Sequence, residues 1–322
     1  MNSENTDRVL DVGQSPDETR DGLPRDNILR KALLWLMFLV ALKLVAPFLP
    51  VNSRVAAQVL SSVFTLAYAI VLIGFISQTM RLQMTLVRRI GALLVFAMLW
   101  YLADTLWKTP LNIQWESGRN PSLGFAFSVQ IARLVVDVLL VCAAMLLGSL
   151  VAQIFSAPNT LAPFCAFCLL LDVWFVMFNG IAQQIAVNAP AYAAKVSAAV
   201  PTVGAATTSR YIPDAVGIGA ADYLLWGLVF AVMHRFAMNW RASARWMVLL
   251  IGGSLLAVNA GIGMLPGFVS IALSTALPNL SFFKFTREER FALLYAGGFI
   301  VLLTIGLHFA TPYLVEQMKT VK

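Results

Sequence analysis

Nine apolar stretches, separated by short polar connections, recur along this chain. Most are long enough for a helix to cross the hydrocarbon core of a bilayer, which takes roughly 20 residues. Within a bilayer, only helices and closed barrels satisfy all of their backbone hydrogen bonds. Because 59% of the residues are hydrophobic and 12% are charged, we expect an all-α fold, a polytopic transmembrane helix bundle of about nine spans. The predicted spans are 32–49, 57–78, 89–107, 124–154, 160–185, 213–236, 246–265, 267–283 and 291–312.

Basic residues gather in the short connections between the apolar stretches. They form clusters at 25–31, 81–89 and 235–245, and a fourth cluster at 284–290 joins them if the eighth stretch crosses the membrane. Cytoplasmic loops of membrane proteins carry such an excess of Lys and Arg. We therefore expect an integral protein of the cytoplasmic (inner) membrane with its N-terminus in the cytoplasm. The net charge of +7 then reflects topology, and nucleic acid is not an expected partner.

The polar and apolar segments divide the chain into four parts. Residues 1–29 are predicted to be a disordered polar N-terminal tail, because they contain no apolar core. Residues 30–155 contain the first four spans, residues 156–314 form a catalytic-type helical part, and residues 315–322 are a short C-terminal tail. The eighth apolar stretch is short and is interrupted by glycine and proline. It is predicted either to cross the membrane as a broken helix or to re-enter it.

Two aspartates lie deep inside the fifth and sixth apolar stretches. Acidic side chains at such depth are costly, so intramembrane carboxyl groups mark functional sites by default. Asp172 is about 17 Å from the predicted end of its span, and Asp222 is about 14 Å from the start of the next, at 1.5 Å per residue. The two spans are antiparallel neighbours in the predicted topology. We therefore expect the two carboxyl groups to meet.

Polar and small residues accompany the two acids along their helices. Asn179 and Gln183 follow Asp172 by seven and eleven residues, so all three share one helical face. Such a polar stripe predicts an access path for water. Gly217 and Gly219 precede Asp222, and glycines lower the cost of unwinding a helix to admit an extended substrate.

Other polar residues within the apolar stretches have simpler interpretations. Arg133 and Asp137 are four residues apart, which is the spacing of an ion pair on one helix face. Lys43 and Asp104 lie nearer the ends of their predicted spans. Their side chains are expected to reach towards the membrane surface.

Cysteine spacing raises the question of a metal or redox centre. Cys165 and Cys168 have the spacing of a CxxC motif, which also occurs in zinc and thiol–disulfide sites. On a membrane helix, two cysteines one turn apart are more often small packing residues. We therefore expect no metal and no cofactor.

An aromatic-rich segment, Asp172–Met177, begins at the first acid, with Pro190 and Lys195 further on, and the glycine-containing segment Val216–Asp222 ends at the second acid. These residues resemble the signal peptide peptidase and presenilin family of intramembrane aspartyl proteases. In that family an aromatic-rich helix follows the first aspartate, as Asp172–Met177 does here, and Ala-Pro and Lys follow as at Pro190 and Lys195. The segment Val216–Asp222 resembles the family's Gly-x-Gly-Asp helix. The resemblance covers roughly residues 160–280 and implies a presenilin-like fold of a distant, prokaryotic type.

This chain departs from the family pattern at several positions. Leu171 replaces the tyrosine before the first acid, and Ala221 replaces the second glycine if the motif is aligned without a gap. With a gap, the motif is instead the glycine pair of Gly217–Gly219. The family's Pro-Ala-Leu element, which borders its active site, has two candidates here. These are Thr275-Ala276-Leu277-Pro278 and the competing Gly263–Pro266.

By this resemblance, the chain is an aspartic intramembrane endopeptidase. Asp172 and Asp222 would activate a water between them and hydrolyse peptide bonds within transmembrane helices or signal-peptide remnants. The resemblance also implies single membrane helices of type II orientation as substrates. The residues implied in substrate positioning are Gly217, Gly219, Ala221, Thr275, Ala276, Leu277 and Pro278.

Two other functions use the same acids. An inactive relative would bind membrane helices without cutting them, which the substitutions at Leu171 and Ala221 suggest. A proton-coupled transporter would use the acids to carry protons. The expected partners are the lipid bilayer and membrane-spanning peptides, and the sequence leaves the oligomeric state open.

Overall fold

A computed structural model describes most of the chain. The described residues are 24–51, 53–82, 84–111, 123–177, 194–201, 203, 217–259, 267–288 and twelve positions between 290 and 309. Within these ranges most residues are helical, as the apolar pattern predicted. Predictions for Asn179 and Gln183 fall outside the described residues.

Four described helices are long and apolar enough to cross a membrane. Helix α2 (Arg54–Met80) begins at Ser53, whose hydroxyl oxygen accepts a hydrogen bond from the Ala56 N–H group at 3.2 Å. This is a standard way to satisfy the free N–H groups at a helix start. The other three are α3 (Leu86–Ala103, continued by a π-helical turn over Asp104–Lys108), α4 (Leu123–Val151) and α7 (Trp240–Asn259).

The remaining described helices are shorter or less apolar. Helix α1 covers Arg25–Val45, so the predicted tail of 1–29 is too long. Its first turn already packs against the bundle, since Ile28 is fully buried. The others are α5 (Leu161–Met177), α6 (Ala220–Arg235) and α8 (Gly267–Ala276), which a 3-10 helix continues over Leu277–Phe282. Shorter 3-10 turns cover Ala46–Phe48, Ala152–Ile154 and Pro158–Thr160.

Two short strands depart from the all-α prediction. Strand β1 (Ser197–Ala199) pairs antiparallel with β2 (Gly217–Gly219), with Ala198 opposite Ile218. Among the described residues of the predicted span 213–236, Gly217–Gly219 form a strand and the helix begins at Ala220. Glycine favours this outcome because it weakens a helix by about 1 kcal/mol relative to alanine.

Helix α6 lies at the centre of the bundle. Its side chains are buried on nearly all sides, including Tyr223, Trp226 and Phe230. A helix that is apolar all round occupies such an interior position. In contrast, α3 has no buried side chain and lies at the periphery, where its apolar residues face outwards.

Close contact between α4 and α6 depends on glycine. A Cβ atom on Gly227 would lie 2.6 Å from the Met145 Cα atom, and one on Gly148 would lie 2.8 Å from the Leu228 nitrogen. Both distances are shorter than real Cβ contacts, and the obstacles are backbone atoms. Small residues of this kind let membrane helices approach closely.

The predicted basic clusters gather at one end of the bundle. Arg89 donates to the Ser149 carbonyl oxygen at 3.2 Å, and Arg235 donates to the Gln153 carbonyl oxygen at 3.1 Å. These carbonyls lie at the end of α4, where the helix dipole favours cations. The Lys284 N–H donates to Asn159, in the turn that follows α4. We call this the basic end, and the positive-inside rule predicts that it faces the cytoplasm.

Candidate active site

The first predicted acid lies inside α5. Asp172 is buried, and its Oδ2 atom accepts a hydrogen bond from the Phe268 N–H group at 2.6 Å. The Val269 N–H group also bonds to this carboxyl group. These donors belong to the first turn of α8, where backbone N–H groups have no partner within the helix. Asp172 therefore caps the start of α8.

The second predicted acid lies in the first turn of α6. Its Oδ2 atom accepts a hydrogen bond from the Gly219 N–H group at 3.1 Å. Its Oδ1 atom lies 2.6 Å from the position that a Cβ atom on Gly267 would occupy. Asp222 therefore presses directly against the first residue of α8. Only glycine at position 267 leaves room for the carboxyl group in this place.

Asp172 and Asp222 converge on consecutive residues of one helix start. One carboxyl group contacts Gly267 and the other bonds to Phe268, and the two are close enough to interact electrostatically. The positive end of the α8 dipole favours negative charge at this position. The two acids thus come close to each other, as the sequence predicted, but they do so through α8, which packs against both α5 and α6, and not because α5 and α6 pack side by side as neighbours.

Distances along the helices give the acids a common depth. Asp172 is eleven residues from the start of α5 at Leu161, or about 17 Å at 1.5 Å per residue. Asp222 is thirteen residues from Arg235, at the basic end, or about 20 Å by the same rise. Both values lie between half and two-thirds of the hydrocarbon core of a bilayer, which is about 30 Å thick. The pair therefore lies near the middle of the bundle.

The backbone before Asp222 is extended and partly open. Gly217 and Ala221 are exposed, and Asp222 itself is partly exposed. Gly219 is extended and directly precedes α6, whereas the sequence analysis placed Gly217 and Gly219 within the helical span. Exposed backbone therefore lies directly beside Asp222 in the sequence. Gly217 and Gly219 lie on the same strand, β2, so the structure is compatible with the gapped and with the ungapped alignment of the glycine motif.

The predicted positioning segment Thr275-Ala276-Leu277-Pro278 is in the wrong place. The Pro278 carbonyl oxygen accepts a hydrogen bond from Asn239, in the turn after α6 at the basic end. Thr275 bonds only within the described part of its own helix, donating to the Ile271 carbonyl oxygen at 2.8 Å. The segment therefore lies two turns and more from the acid contacts. The proline-broken pattern that suggested an active-site role instead follows α8 at the basic end.

Residues that the sequence analysis did not assign to the site provide the contacts. Gly267 and Phe268 come directly after the competing Gly263–Pro266 segment, whose residues lie outside the described part of the chain. Proline is favoured at the first positions of a helix, so Pro266, directly before Gly267, could have selected the competing segment. Similarity to the family's Pro-Ala-Leu element alone could not decide between the Thr275–Pro278 segment and the Gly263–Pro266 segment.

Two predictions about isolated charged residues are also wrong. Lys43 and Asp104 do not reach for the surface, because both are buried at 4% exposure. Lys43 forms an ion pair with Asp137, the residue that was expected to pair with Arg133. Asp104 pairs with Lys108 at 3.5 Å and with Lys195 at 4.0 Å. Each pair compensates a charge that burial would otherwise make expensive.

The cysteines and other possible metal ligands do not extend the site. Cys165 and Cys168 are buried in the apolar core with free thiols. Among the described residues, no three His, Cys, Asp or Glu side chains are grouped to hold a metal. At the start of α8, the described groups are the two carboxyl groups and the backbone N–H groups that bond to them.

Comparisons of the chain with protein-family models, with curated proteins and with solved structures find no match. The resemblance to signal peptide peptidase therefore rests on the motifs around Asp172 and Asp222.

Proposed function

We propose that the protein is an intramembrane aspartic endopeptidase of the presenilin and signal peptide peptidase type. One observation supports this most strongly. Two carboxyl groups from separate helices, Asp172 of α5 and Asp222 of α6, converge on the start of α8, which packs against both helices. An aspartic dyad needs this kind of convergence, and lone structural acids do not.

The proposed chemistry uses one proton shared between two carboxyl groups. In a low dielectric, two neighbouring carboxyl groups cannot both be ionised cheaply, so the pair holds a single proton at neutral pH. The ionised group takes a proton from a bound water, and the protonated group donates to the oxygen of the scissile carbonyl. The resulting gem-diol collapses when the amide nitrogen is protonated and leaves. Because the proton belongs to the pair, neither acid is permanently the base.

The proposed substrates are single membrane helices that unwind locally. A helical amide is shielded, and its carbonyl oxygen is already hydrogen-bonded, so hydrolysis needs an extended segment. The exposed backbone at Gly217 and Ala221 offers such a segment a route to Asp222. With the basic end in the cytoplasm and nine spans, α5 would run outwards, which implies substrates of type II orientation in the cytoplasmic membrane.

Co-expression with a tagged membrane helix tests this function. We expect cleavage of a type II helix by the wild type, and loss of cleavage in Asp172→Asn and Asp222→Asn. Asp26→Asn is the matched control, because Asp26 is an exposed carboxyl group near the start of α1. An intact substrate in wild-type cells, or equal cleavage by all four proteins, would refute the proposal. Preferential cleavage of the inverted helix would refute the topology alone.

A second candidate function is binding of membrane helices without hydrolysis. The contacts of the two acids favour a non-catalytic role, since each carboxyl group also caps a helix start. Asp222 caps its own helix through Gly219, and Asp172 caps α8. In the same experiment, a non-catalytic binder would co-purify with the intact helix. The wild type would then leave the helix intact, and the two asparagine variants would still bind it.

A further inference from the structure

A buried ion pair lies in the bundle outside the acid site. Lys43 of α1 bonds to Asp137 of α4, and both side chains are at most 7% exposed. Gln130, two turns before Asp137, donates to the Lys43 carbonyl oxygen at 3.0 Å. These contacts join α1 to α4 in the interior of the bundle.

Two tyrosines connect this ion pair to the helix that carries Asp222. The Lys43 Nζ atom lies 5.7 Å from the centre of the Tyr68 ring, which belongs to α2. The Tyr68 and Tyr223 hydroxyl oxygens are 3.4 Å apart, and both side chains are fully buried. The Trp226 ring packs edge-on against Tyr223 at 5.3 Å between centroids. We call Lys43, Asp137, Tyr68 and Tyr223 the polar network.

Stability alone gives little reason for this network. Replacing a buried ion pair by apolar residues of similar volume is often neutral or stabilising, because desolvation offsets the attraction between the charges. Within a membrane, such charges are more costly still. Directional groups do, however, fix the relative rotation of the helices that they join. The network links α1, α2, α4 and α6 in this way.

Rotation of α6 matters because Tyr223 directly follows Asp222. Neighbouring residues on a helix are separated by a fixed angle of about 100°, so holding the tyrosine also holds the acid. The tip of a side chain lies about 5–6 Å from the helix axis, so a rotation of about 20° would move the carboxyl group by about 2 Å. Misplacement by 1 Å can lower an enzyme rate by about a hundredfold.

We propose that the polar network is a positioning device that sets the rotation of α6 and thereby holds Asp222 against the start of α8. This inference deepens the proposed endopeptidase function and rests on it for its effect on rate. The part of the inference that concerns the rotation of α6 is independent of catalysis. Tyr223 and Tyr68 are thus positioning residues that act through Asp222.

Kinetics of tyrosine variants give the first test. Tyr223→Phe and Tyr68→Phe remove one hydroxyl group and keep the buried ring, so the bundle should still fold. We expect kcat to fall about tenfold or more, with KM changed by less than about twofold, because the substrate route is not altered. Tyr101→Phe is the control, since Tyr101 is 61% exposed on the outer helix α3.

Disulfide formation gives a second test that needs no activity. The Asp222 Cγ atom lies 3.3 Å from the Cβ position of Gly267, so cysteines at these two positions come within disulfide reach. The pair Asp222→Cys and Gly267→Cys would be oxidised in a protein whose Cys142, Cys165 and Cys168 are replaced by alanine. We expect addition of Tyr223→Phe to slow cross-linking several-fold.

The two tests together separate this inference from the proposed function. Lower kcat with slower cross-linking supports positioning by the network. If the wild-type protein cleaves no substrate, the endopeptidase function is refuted. Slower cross-linking of the Tyr223→Phe variant would still support positioning by the polar network in that case. Unchanged cross-linking overturns the network proposal whatever the activity of the variant. Slower cross-linking with unchanged kcat in an active enzyme overturns it as well.

Discussion

At the scale of single residues, position 267 connects both acids to the start of α8. Gly267 is in contact with Asp222, and its neighbour Phe268 bonds to Asp172. A missing side chain is therefore as important here as the carboxyl groups. The sequence contains twenty glycines, and nothing in their spacing distinguishes this one without the folded contact.

Adding a methyl group at position 267 should impair the proposed activity. In Gly267→Ala, the new Cβ atom would lie 2.6 Å from Asp222 Oδ1, so the carboxyl group would have to move away. We expect cleavage of the tagged helix to fall by about ten- to a hundredfold, as for misplaced catalytic groups. The measurement is the initial cleavage rate at equal protein level.

Gly253→Ala is the matched control for this change. Gly253 lies on α7, and a Cβ atom there would meet nothing within 4 Å. It should cleave at the wild-type rate. Equal rates for the two alanine variants would mean that Asp222 does not need its contact with α8.

At the scale of helices, the bundle is held by glycine contacts and by buried charges. Gly148 and Gly227 bring α4 and α6 together, while Lys43 and Asp137 join α1 to α4. The α4–α6 contact depends on the close backbone approach that glycine allows, whereas the α1–α4 contact is electrostatic. They make different predictions for stability.

Gly227→Ala should destabilise the α4–α6 contact. Its Cβ atom would overlap the backbone of Met145, and backbone cannot move aside as a flexible side chain can. We expect a loss of about 1–3 kcal/mol, the usual cost of overpacking, measured as lower thermal stability in detergent. Gly91 on α3 has open space around its Cβ position, so Gly91→Ala should unfold at the same temperature as the wild type. If both variants unfold at the same temperature, the close α4–α6 approach is wrong.

Replacing one member of the ion pair should cost more than replacing both. Lys43→Met leaves the Asp137 charge buried without this partner, which typically costs about 3–5 kcal/mol. The double variant Lys43→Met with Asp137→Leu should recover most of that loss. Thermal unfolding of the single and double variants measures the difference. A double variant no more stable than Lys43→Met would show that the two charges do not compensate each other.

At the scale of the whole molecule, the basic end defines an orientation that can be measured. Glu288 is exposed and follows Lys284 at that end, whereas Pro50 is exposed in the turn after α1 at the opposite end. In a cysteine-free background, Glu288→Cys should react with an impermeant thiol reagent only from the cytoplasmic side. Pro50→Cys should react only from the other side. Labelling of both from the same side would overturn the proposed topology.

The apolar pattern predicted the helical fold because burial of backbone in lipid leaves few alternatives. It also predicted that Asp172 and Asp222 would meet, since depth along a helix can be counted from the sequence. It could not predict the partner of Lys43, because Asp137 is 94 positions away. Likewise, the choice between Thr275–Pro278 and the preceding segment depended on which end of α8 contacts the acids, a tertiary fact.

A double-mutant comparison tests most directly whether the two acids act as one catalytic unit. Purified wild type, Asp172→Asn, Asp222→Asn and the double variant would be reconstituted in liposomes with a type II helix. Members of a catalytic unit are strongly non-additive, so each single variant should lose about a thousandfold or more in rate, and the double variant no more than that. Losses that add up, or a single variant that keeps wild-type activity, would contradict the account.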